Sequence, residues 1–286
     1  MKTSARDSMT LLEVLQASTE FLTKREIENP RLNAEHLLAH VLKLTRMELY
    51  LEFERKLNEP ELETLRGLVK RRGQGEPLQH LLGTVEFCGH IFGIDQRALV
   101  PRPETEELVE LLKSKIRNPN SEILDVGTGS GVIALSLAAK FPDATILAID
   151  ISDEALTLAR ENAERLGLGT KISFQKGNLL EGISERFDLI AANLPYIAMK
   201  DRLSLSREVL RDPEVAVFAG ERGDELIRGL IEQAPACLKP GGLIALELGL
   251  GQAEELERVL RQKNFRDIET KRDYSGTPRF LFARYG

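Results

Sequence analysis

Residues 123–139 run from Ile123-Leu124 through the loop Asp125-Val126-Gly127-Thr128-Gly129-Ser130-Gly131 into the apolar stretch Val132-Ile133-Ala134-Leu135-Ser136-Leu137-Ala138-Ala139. Apolar strand, glycine loop, apolar helix: this order commits the chain to a fold in which a buried strand feeds a helix that lies back on the sheet. The three glycines supply tight backbone geometry where a ligand must approach the main chain. Downstream, Ala144-Thr145-Ile146-Leu147-Ala148-Ile149 ends in Asp150, placed to accept from both hydroxyls of a ribose. The pattern reads as a nucleoside site, against the plainer alternative of an ordinary strand-to-helix turn. Val132 and Ile133 fill the positions where the dinucleotide fingerprint needs its last glycine, which disfavours a nucleotide-linked oxidoreductase. A pyrophosphate wants that close helix approach. S-adenosylmethionine has no phosphate and can use G-x-G-x-G.

A second feature sharpens the chemistry. Asn193-Leu194-Pro195-Tyr196 directly follows the apolar run Phe187-Asp188-Leu189-Ile190-Ala191-Ala192. A side-chain amide accepts and donates at once, so Asn193 can accept a bond from an NH2 group about to be alkylated. Leu194 precedes a proline, which biases it to an extended backbone and lets its carbonyl act as a second acceptor. Pro195 fixes its own φ, and Tyr196 offers a flat face to a planar group. Such a strand end suits a planar amide or amine presented for methylation.

Bulk properties exclude several classes. At 286 residues the chain has room for two domains, and its 42% hydrophobic and 29% charged content is that of a soluble globular protein. A net charge of −6 argues against a protein that coats nucleic acid through its phosphates, so no stable nucleic-acid binding is expected. Lys70-Arg71-Arg72 reads as a solvated helix end. Cys88 and Cys237 have neither metal-ligand spacing nor the density of a disulfide scaffold, and a reduced cytoplasmic compartment fits. Met1–Asp7 leads into no signal-type apolar core, and no run approaches membrane-spanning length.

Residues up to about 82 read as helical. Leu11, Leu12, Val14, Leu15, Phe21 and Leu22 fit one amphipathic helix broken before Asn29-Pro30, and Leu32, His36, Leu37, His40, Val41 and Leu44 form the next stripe. His36 and His40 lack a third ligand and read as partly buried helix-face histidines rather than a metal pair. Asn58 is an expected N-cap, with Pro60 in the first turn and Leu62, Leu65, Leu68 and Val69 on one face. Glu52–Lys56 reads as a solvated helix face. Val85–Ile94 has β character around Gly89 and is expected as a hairpin bridging two domains. A helix is expected over 107–112, and strands over 122–126, 145–149, 171–175, 187–192, 242–248, 266–271 and 279–284, with Lys239-Pro240-Gly241-Gly242 as the turn that starts the fifth. Alternation of this kind predicts a parallel sheet with helices on both faces. The Ser275-Gly276-Thr277-Pro278 connection is too short for a crossover helix, so the last two strands should pair antiparallel.

The glycine loop, Asp150 and the Asn-x-Pro-Tyr sequence together resemble a class I S-adenosylmethionine-dependent methyltransferase of the amino-methylating kind. With Pro101-Arg102-Pro103-Glu104-Thr105-Glu106 ahead of them and Ile197 after, they resemble the HemK/PrmC family over nearly the whole chain. That family methylates the N5 nitrogen of the glutamine in the Gly-Gly-Gln loop of peptide-chain release factors. The resemblance implies an α/β fold, Rossmann-like, with a seven-stranded mostly parallel sheet. It also implies a helical substrate-recognition domain over 1–83, a β-hairpin linker over 84–100 and a methyltransferase domain over 101–286. DNA adenine methyltransferases share the strand-end motif but not the Pro-Arg-x-Glu-Thr-Glu lead-in. The family's usual residue at position 194 is proline; Leu194 keeps the carbonyl and gives up the rigidity.

By this resemblance Asn193, Leu194, Pro195 and Tyr196 hold and orient the amide, and no metal is required. Gly127, Gly129 and Gly131 admit the methionine portion of the cofactor, Asp150 takes the ribose and Ile151 lies against the adenine. Thr128 and Ser130 either contribute hydroxyls or fill the loop, and Asn178 is either at the adenine edge or a plain turn residue. Arg102 meets a carboxylate, in a salt-bridged lead-in or in a segment closing over cofactor or substrate. The rival readings are the same chemistry on DNA adenine or another protein glutamine, and a catalytically silent cofactor-binding protein.

Overall fold

A computed structural model describes residues 9–286, so the expectation for Met1–Asp7 lies outside the described residues. The chain forms two compact units, one of the residues up to Gly83 with Ser206–Arg211, the other of Thr84–Leu205 with Asp212–Gly286.

The first unit holds helices α1 (Leu11–Lys24), α2 (Pro30–Leu42), α3 (Arg46–Leu51), α4 (Glu59–Gly73) and α5 (Leu78–Leu82). Reciprocal capping boxes start three of them: Thr10 with Glu13, Thr45 with Glu48, and the expected Asn58 with Glu61. Leu11, Leu15, Leu22, Leu37, Leu38, Leu49, Leu62 and Leu65 meet in one core.

Three expectations need correction here. The buried face of α2 is Asn33, Ala34, Glu35, Leu37, Leu38, Ala39 and Leu42; of the expected stripe Leu37 is buried, His36, Val41 and Leu44 are half-buried, and Leu32 and His40 are exposed. The helix turns this way because its inward polar groups are all served: Glu35 accepts from Arg31, Arg46 and Tyr50, and Asn33 Nδ2 donates to the Glu28 and Asn29 carbonyls. Burial depresses the His36 pKa. Next, Glu52–Lys56 is not helical. Its Phe53 and Arg55 carbonyls accept from Leu12 N and Leu11 N, satisfying the start of α1 instead of a helix of their own. Finally, Arg72 does not share the solvation expected of its neighbours. It is buried, with Nε on Asn33 Oδ1 at 2.6 Å and Nη2 on Glu208 Oε2 at 2.7 Å.

The second unit begins with the antiparallel hairpin of β1 (Thr84–Phe87) and β2 (His90–Gly93), turned by Cys88 and Gly89, both at positive φ. It continues as α6 (Pro103–Lys115), β3 (Glu122–Val126), α7 (Val132–Lys140), β4 (Thr145–Asp150), α8 (Asp153–Arg165), β5 (Ile172–Lys176) and β6 (Phe187–Ala192). The last part is α9 (Glu214–Val217), α10 (Glu225–Cys237), β7 (Leu238–Glu247), α11 (Ala253–Gln262), β8 (Phe265–Arg272) and β9 (Pro278–Tyr285). Helix α6 starts four residues before the expected 107, with Pro103 in the first turn, where its missing N–H costs nothing.

Seven strands form one sheet in the order β5-β4-β3-β6-β7-β9-β8, with β9 antiparallel to both its neighbours, as the short last connection requires. Side chains alternate between two cores. Ile123, Ile146, Leu189, Leu243 and Phe282 pack with α6 and α7, while Leu124, Ile149, Ile190, Ile244 and Leu281 pack with α10 and α11. Lys239–Gly242 is an irregularity inside β7, not a turn before it: Phe187 pairs with Leu238 and Leu189 already with Leu243, so these residues bulge with Gly241 at φ +77°. Among the described residues no helix is long and apolar enough to cross a membrane.

Chain order reverses between β3 and β6, because β4 and β5 are added on one side of β3 and β6 and β7 on the other. Such a switch point leaves a crevice beyond the carboxyl ends of the strands.

Candidate active site

A cavity of about 310 Å³ lies at this switch point, a volume suited to a small-molecule ligand. Gly127, Thr128, Gly129, Ser130, Asp150, Ile151, Asn178, Asn193, Leu194 and Pro195 line it. Gly131, Arg102 and Tyr196 do not.

The loop after β3 is drawn tight by Gly127 N and Thr128 N, which both donate to Ile149 O at 2.9 Å. Gly127 sits at φ +72°, and a Cβ there would stand 2.8 Å from Leu194 Cδ2. Leu194, 5% exposed, thus fills the space directly beneath the loop. Gly131, at φ +84°, caps α7 where a Cβ would meet Leu135 and Ala159. The loop hydroxyls are not equivalent: Thr128 Oγ1 is turned inward and donates to Asp125 Oδ2 at 2.7 Å. Ser130 lends its carbonyl to Asn162 Nδ2 at 2.9 Å, and the same amide spans Gly93 by accepting from its N at 2.6 Å and donating to its O at 3.0 Å.

Two carboxylates hold the loop from below and from the side. Asp125 is fully buried, and burial pushes its pKa up to about 7 against the bonds from Thr128 and Ala134 N; the Asp150 charge adds to the rise. Asp125 Oδ1 has no hydrogen-bond partner among the described residues. Asp150 Oδ2 accepts from Gly129 N at 2.8 Å and Oδ1 from Ser152 N at 2.9 Å; burial raises its pKa while those bonds restrain the rise. Asn178 reaches Glu181 through Nδ2 at 3.0 Å. Arg102 does meet a carboxylate, Asp212 Oδ2 at 3.0 Å.

Asn193 is placed by register. Ala192 pairs with Leu246, so Asn193 leaves β6 beside Glu247 at the end of β7, on the sheet face that α6 covers. Its Nδ2 donates to Thr105 Oγ1 of α6 at 2.9 Å, and that hydroxyl donates to Glu247 Oε2 at 2.8 Å. Glu247 is 1% exposed; burial drives its pKa up to about 7, the Thr105 bond and Arg279 pull it down, Glu104 raises it, and a bond with the Asn193 side chain lowers it. The Tyr196 ring packs at Gly249, where a Cβ would come within 3.1 Å of Cδ2. Burial lifts the Tyr196 phenol to about 12, reinforced by the Glu247 charge.

This donor set fits S-adenosylmethionine. A glycine loop bare of side chains, a carboxylate fixed by two backbone N–H groups and an apolar wall of Ile151, Leu179 and Phe218 surround one cavity. Sequence reading placed Thr105 and Asp125 in motifs without giving either a role, and it passed over Glu247. One signal was present for Glu247, which closes an apolar strand as Asp150 does; Asp125 is the penultimate residue of β3.

Residues 13–83 match the PrmC N-terminal domain model and residues 117–273 a methyltransferase domain model. A release factor glutamine methyltransferase from Geobacter sulfurreducens is 40% identical over 280 residues, 97% of each chain. One from Deinococcus radiodurans is 41% identical over 277 residues, 96% of this chain and 99% of that protein. A methyltransferase structure from Pyrococcus furiosus superposes with a TM-score of 0.51 at 22% identity, covering 68% of this chain and 88% of its own, a likeness of fold. With identity of this level along almost its entire length, this chain belongs to the release factor glutamine methyltransferase family.

Proposed function

We propose that this chain methylates the side-chain amide nitrogen, N5, of the glutamine in the Gly-Gly-Gln loop of a peptide-chain release factor, in the cytoplasm, with S-adenosyl-L-methionine as donor. The observation that carries this reading is that Asn193, Leu194 and Pro195 line the same cavity as the glycine loop and Asp150. An amide held at the end of β6 therefore lies beside any methyl donor held by the loop.

An amide nitrogen is a poor nucleophile because its lone pair is delocalised into the carbonyl. Asn193 Oδ1 and the Leu194 carbonyl accept its two hydrogens and turn the nitrogen toward the donor, and Pro195 keeps that peptide extended. Orientation of this kind is worth ~7–11 kcal/mol in favourable systems. S-adenosylmethionine, when bound, supplies a methyl group made electrophilic by its sulfonium. On transfer the methyl group would exchange its bond to sulfur for one to the amide nitrogen, and one amide proton would leave to solvent. Gly127 and Gly129 make room for the methionine portion, Asp150 takes the ribose, and Ile151 and Asn178 border the adenine. Tyr196 and the Arg102–Asp212 pair support the strand end and the lead-in from outside the cavity. The helical unit over 1–83 contributes grip on the release factor, and the hairpin over 84–100 links it to the methyltransferase domain over 101–286.

Intact-mass and peptide mass spectrometry of a recombinant release factor, incubated with this protein and S-adenosylmethionine, tests the reading. The expected result is one added methyl group on the loop glutamine, absent with Asn193→Ala. Cofactor binding without transfer would overturn it in favour of another amide or amine, or of a silent binder.

A further inference from the structure

The direction of the hydrogen bonds behind Asn193 has a consequence for how the site is set. A threonine hydroxyl has one proton. Thr105 gives its proton to Glu247 Oε2 at 2.8 Å, so toward Asn193 it can only accept, and it does so from Nδ2 at 2.9 Å. With Nδ2 committed inward, the acceptor Oδ1 is the end left for the cavity that Asn193 lines. A neutral glutamic acid at 247 would instead be able to donate to Thr105. The hydroxyl could then turn its proton to Asn193, and the amide would present NH2 to the substrate, a donor facing a donor. The polarity of the whole relay is decided at its inner end.

We propose that Thr105 and Glu247 are positioning residues, and that the ionised Glu247 carboxylate, bonded to Asn193 directly as well as through Thr105, fixes the amide of Asn193 with its oxygen toward the substrate. Thr105 lines the cavity as Asn193 does, but in this scheme neither it nor Glu247 touches the reacting atoms. The inference rests on the methyl-transfer reading above and deepens it. Three elements bring titratable or charged groups to Glu247: Glu104 comes from α6, Arg279 from β9 and Tyr196 from the segment after β6, while Thr105 and Asn193 add neutral hydrogen bonds. Arg279 favours the charged form, while burial and Glu104 oppose it, leaving the carboxyl titrating near neutrality, about 7. The acceptor geometry of Asn193 is accordingly present above that value and lost as pH falls through it.

The test combines kinetics with a substrate-free readout on the full chain. Thr105→Val, nearly the same shape without the hydroxyl, is expected to lower kcat roughly 10- to 100-fold with KM for the release factor little changed, and Thr105→Ser to restore most of the loss. Wild-type kcat is expected to fall on the acid side of about 7, a limb that Glu247→Gln removes. In NMR spectra of the cofactor-bound protein, the Asn193 side-chain NH2 signals are expected to move with that same midpoint, to move less in Thr105→Val and to stop moving in Glu247→Gln. Asn193 signals indifferent to both pH and Thr105→Val would overturn the proposal, as would wild-type kcat in that variant. A wild-type protein that transfers no methyl group to a release factor would sink the functional reading alone, and the Asn193 titration would still decide the relay.

Discussion

Asp125 shows what one buried side chain can do to a loop. Its carboxylate accepts from Thr128 Oγ1 and Ala134 N and thereby ties the glycine loop to the first turn of α7, at the cost of a charge out of water. The folded pKa is raised, to about 7 from 3.8. A carboxyl raised in this way is fully compatible with folding below its unfolded pKa and destabilises progressively as pH rises toward the folded one. Asp125→Asn keeps the acceptor and removes the charge. Relative to wild type, this variant is expected to gain stability as pH climbs from about 4 to about 7, by on the order of 2–4 kcal/mol at the plateau. Thermal melts of both proteins across that range measure it; a difference independent of pH would refute the assignment. The loop itself was legible in the sequence from its glycines. The roles of Asp125 and Glu247 were not, since an acid at a strand end looks the same whether solvated or buried beneath a helix.

Among the elements, α8 carries the tie that sets the second unit's hairpin against the glycine loop. Asn162 is 1% exposed and joins Gly93 of β2 to Ser130 through three hydrogen bonds. Asn162→Ala leaves a buried N–H and two buried carbonyls short of partners, and is expected to destabilise the protein by about 2–4 kcal/mol. Asn162→Asp should cost more at neutral pH, because it turns an acceptor on both carbonyls. Denaturant unfolding of the two variants ranks them; Asp as mild as Ala would show that water already serves these groups. Helix and strand identities followed from periodicity and capping, yet the turn of α2 about its axis did not. Hydrophobic spacing put Leu32 and His40 inward, whereas Glu35 and Asn33 occupy that face because Arg31, Arg46, Tyr50 and two backbone carbonyls satisfy them.

At the scale of the whole molecule, Ser206–Arg211 joins the first unit although both flanks belong to the second. Within the first unit this segment is held by Arg72 on Glu208 at 2.7 Å, Arg207 on the Arg25 carbonyl at 2.6 Å and Arg211 on the Gln74 carbonyl at 3.3 Å. A chain begun at Thr84 lacks every one of those partners. Trypsin is expected to cut it after Arg207 and Arg211 at least roughly 10-fold faster than the full chain, since little else then protects that backbone. Equal cleavage rates, followed by mass spectrometry, would show that the segment is held from elsewhere. By itself the amino-acid sequence determined the alternation of strands and helices, the glycine turn and the strand-end motif, because each is a local pattern of residue type and spacing. Only the tertiary structure decided that Thr105, Asn193 and Glu247 form one hydrogen-bonded line. These residues lie 88 and 142 positions apart along the chain, and what unites them is the register of β6 on β7 with α6 packed across both.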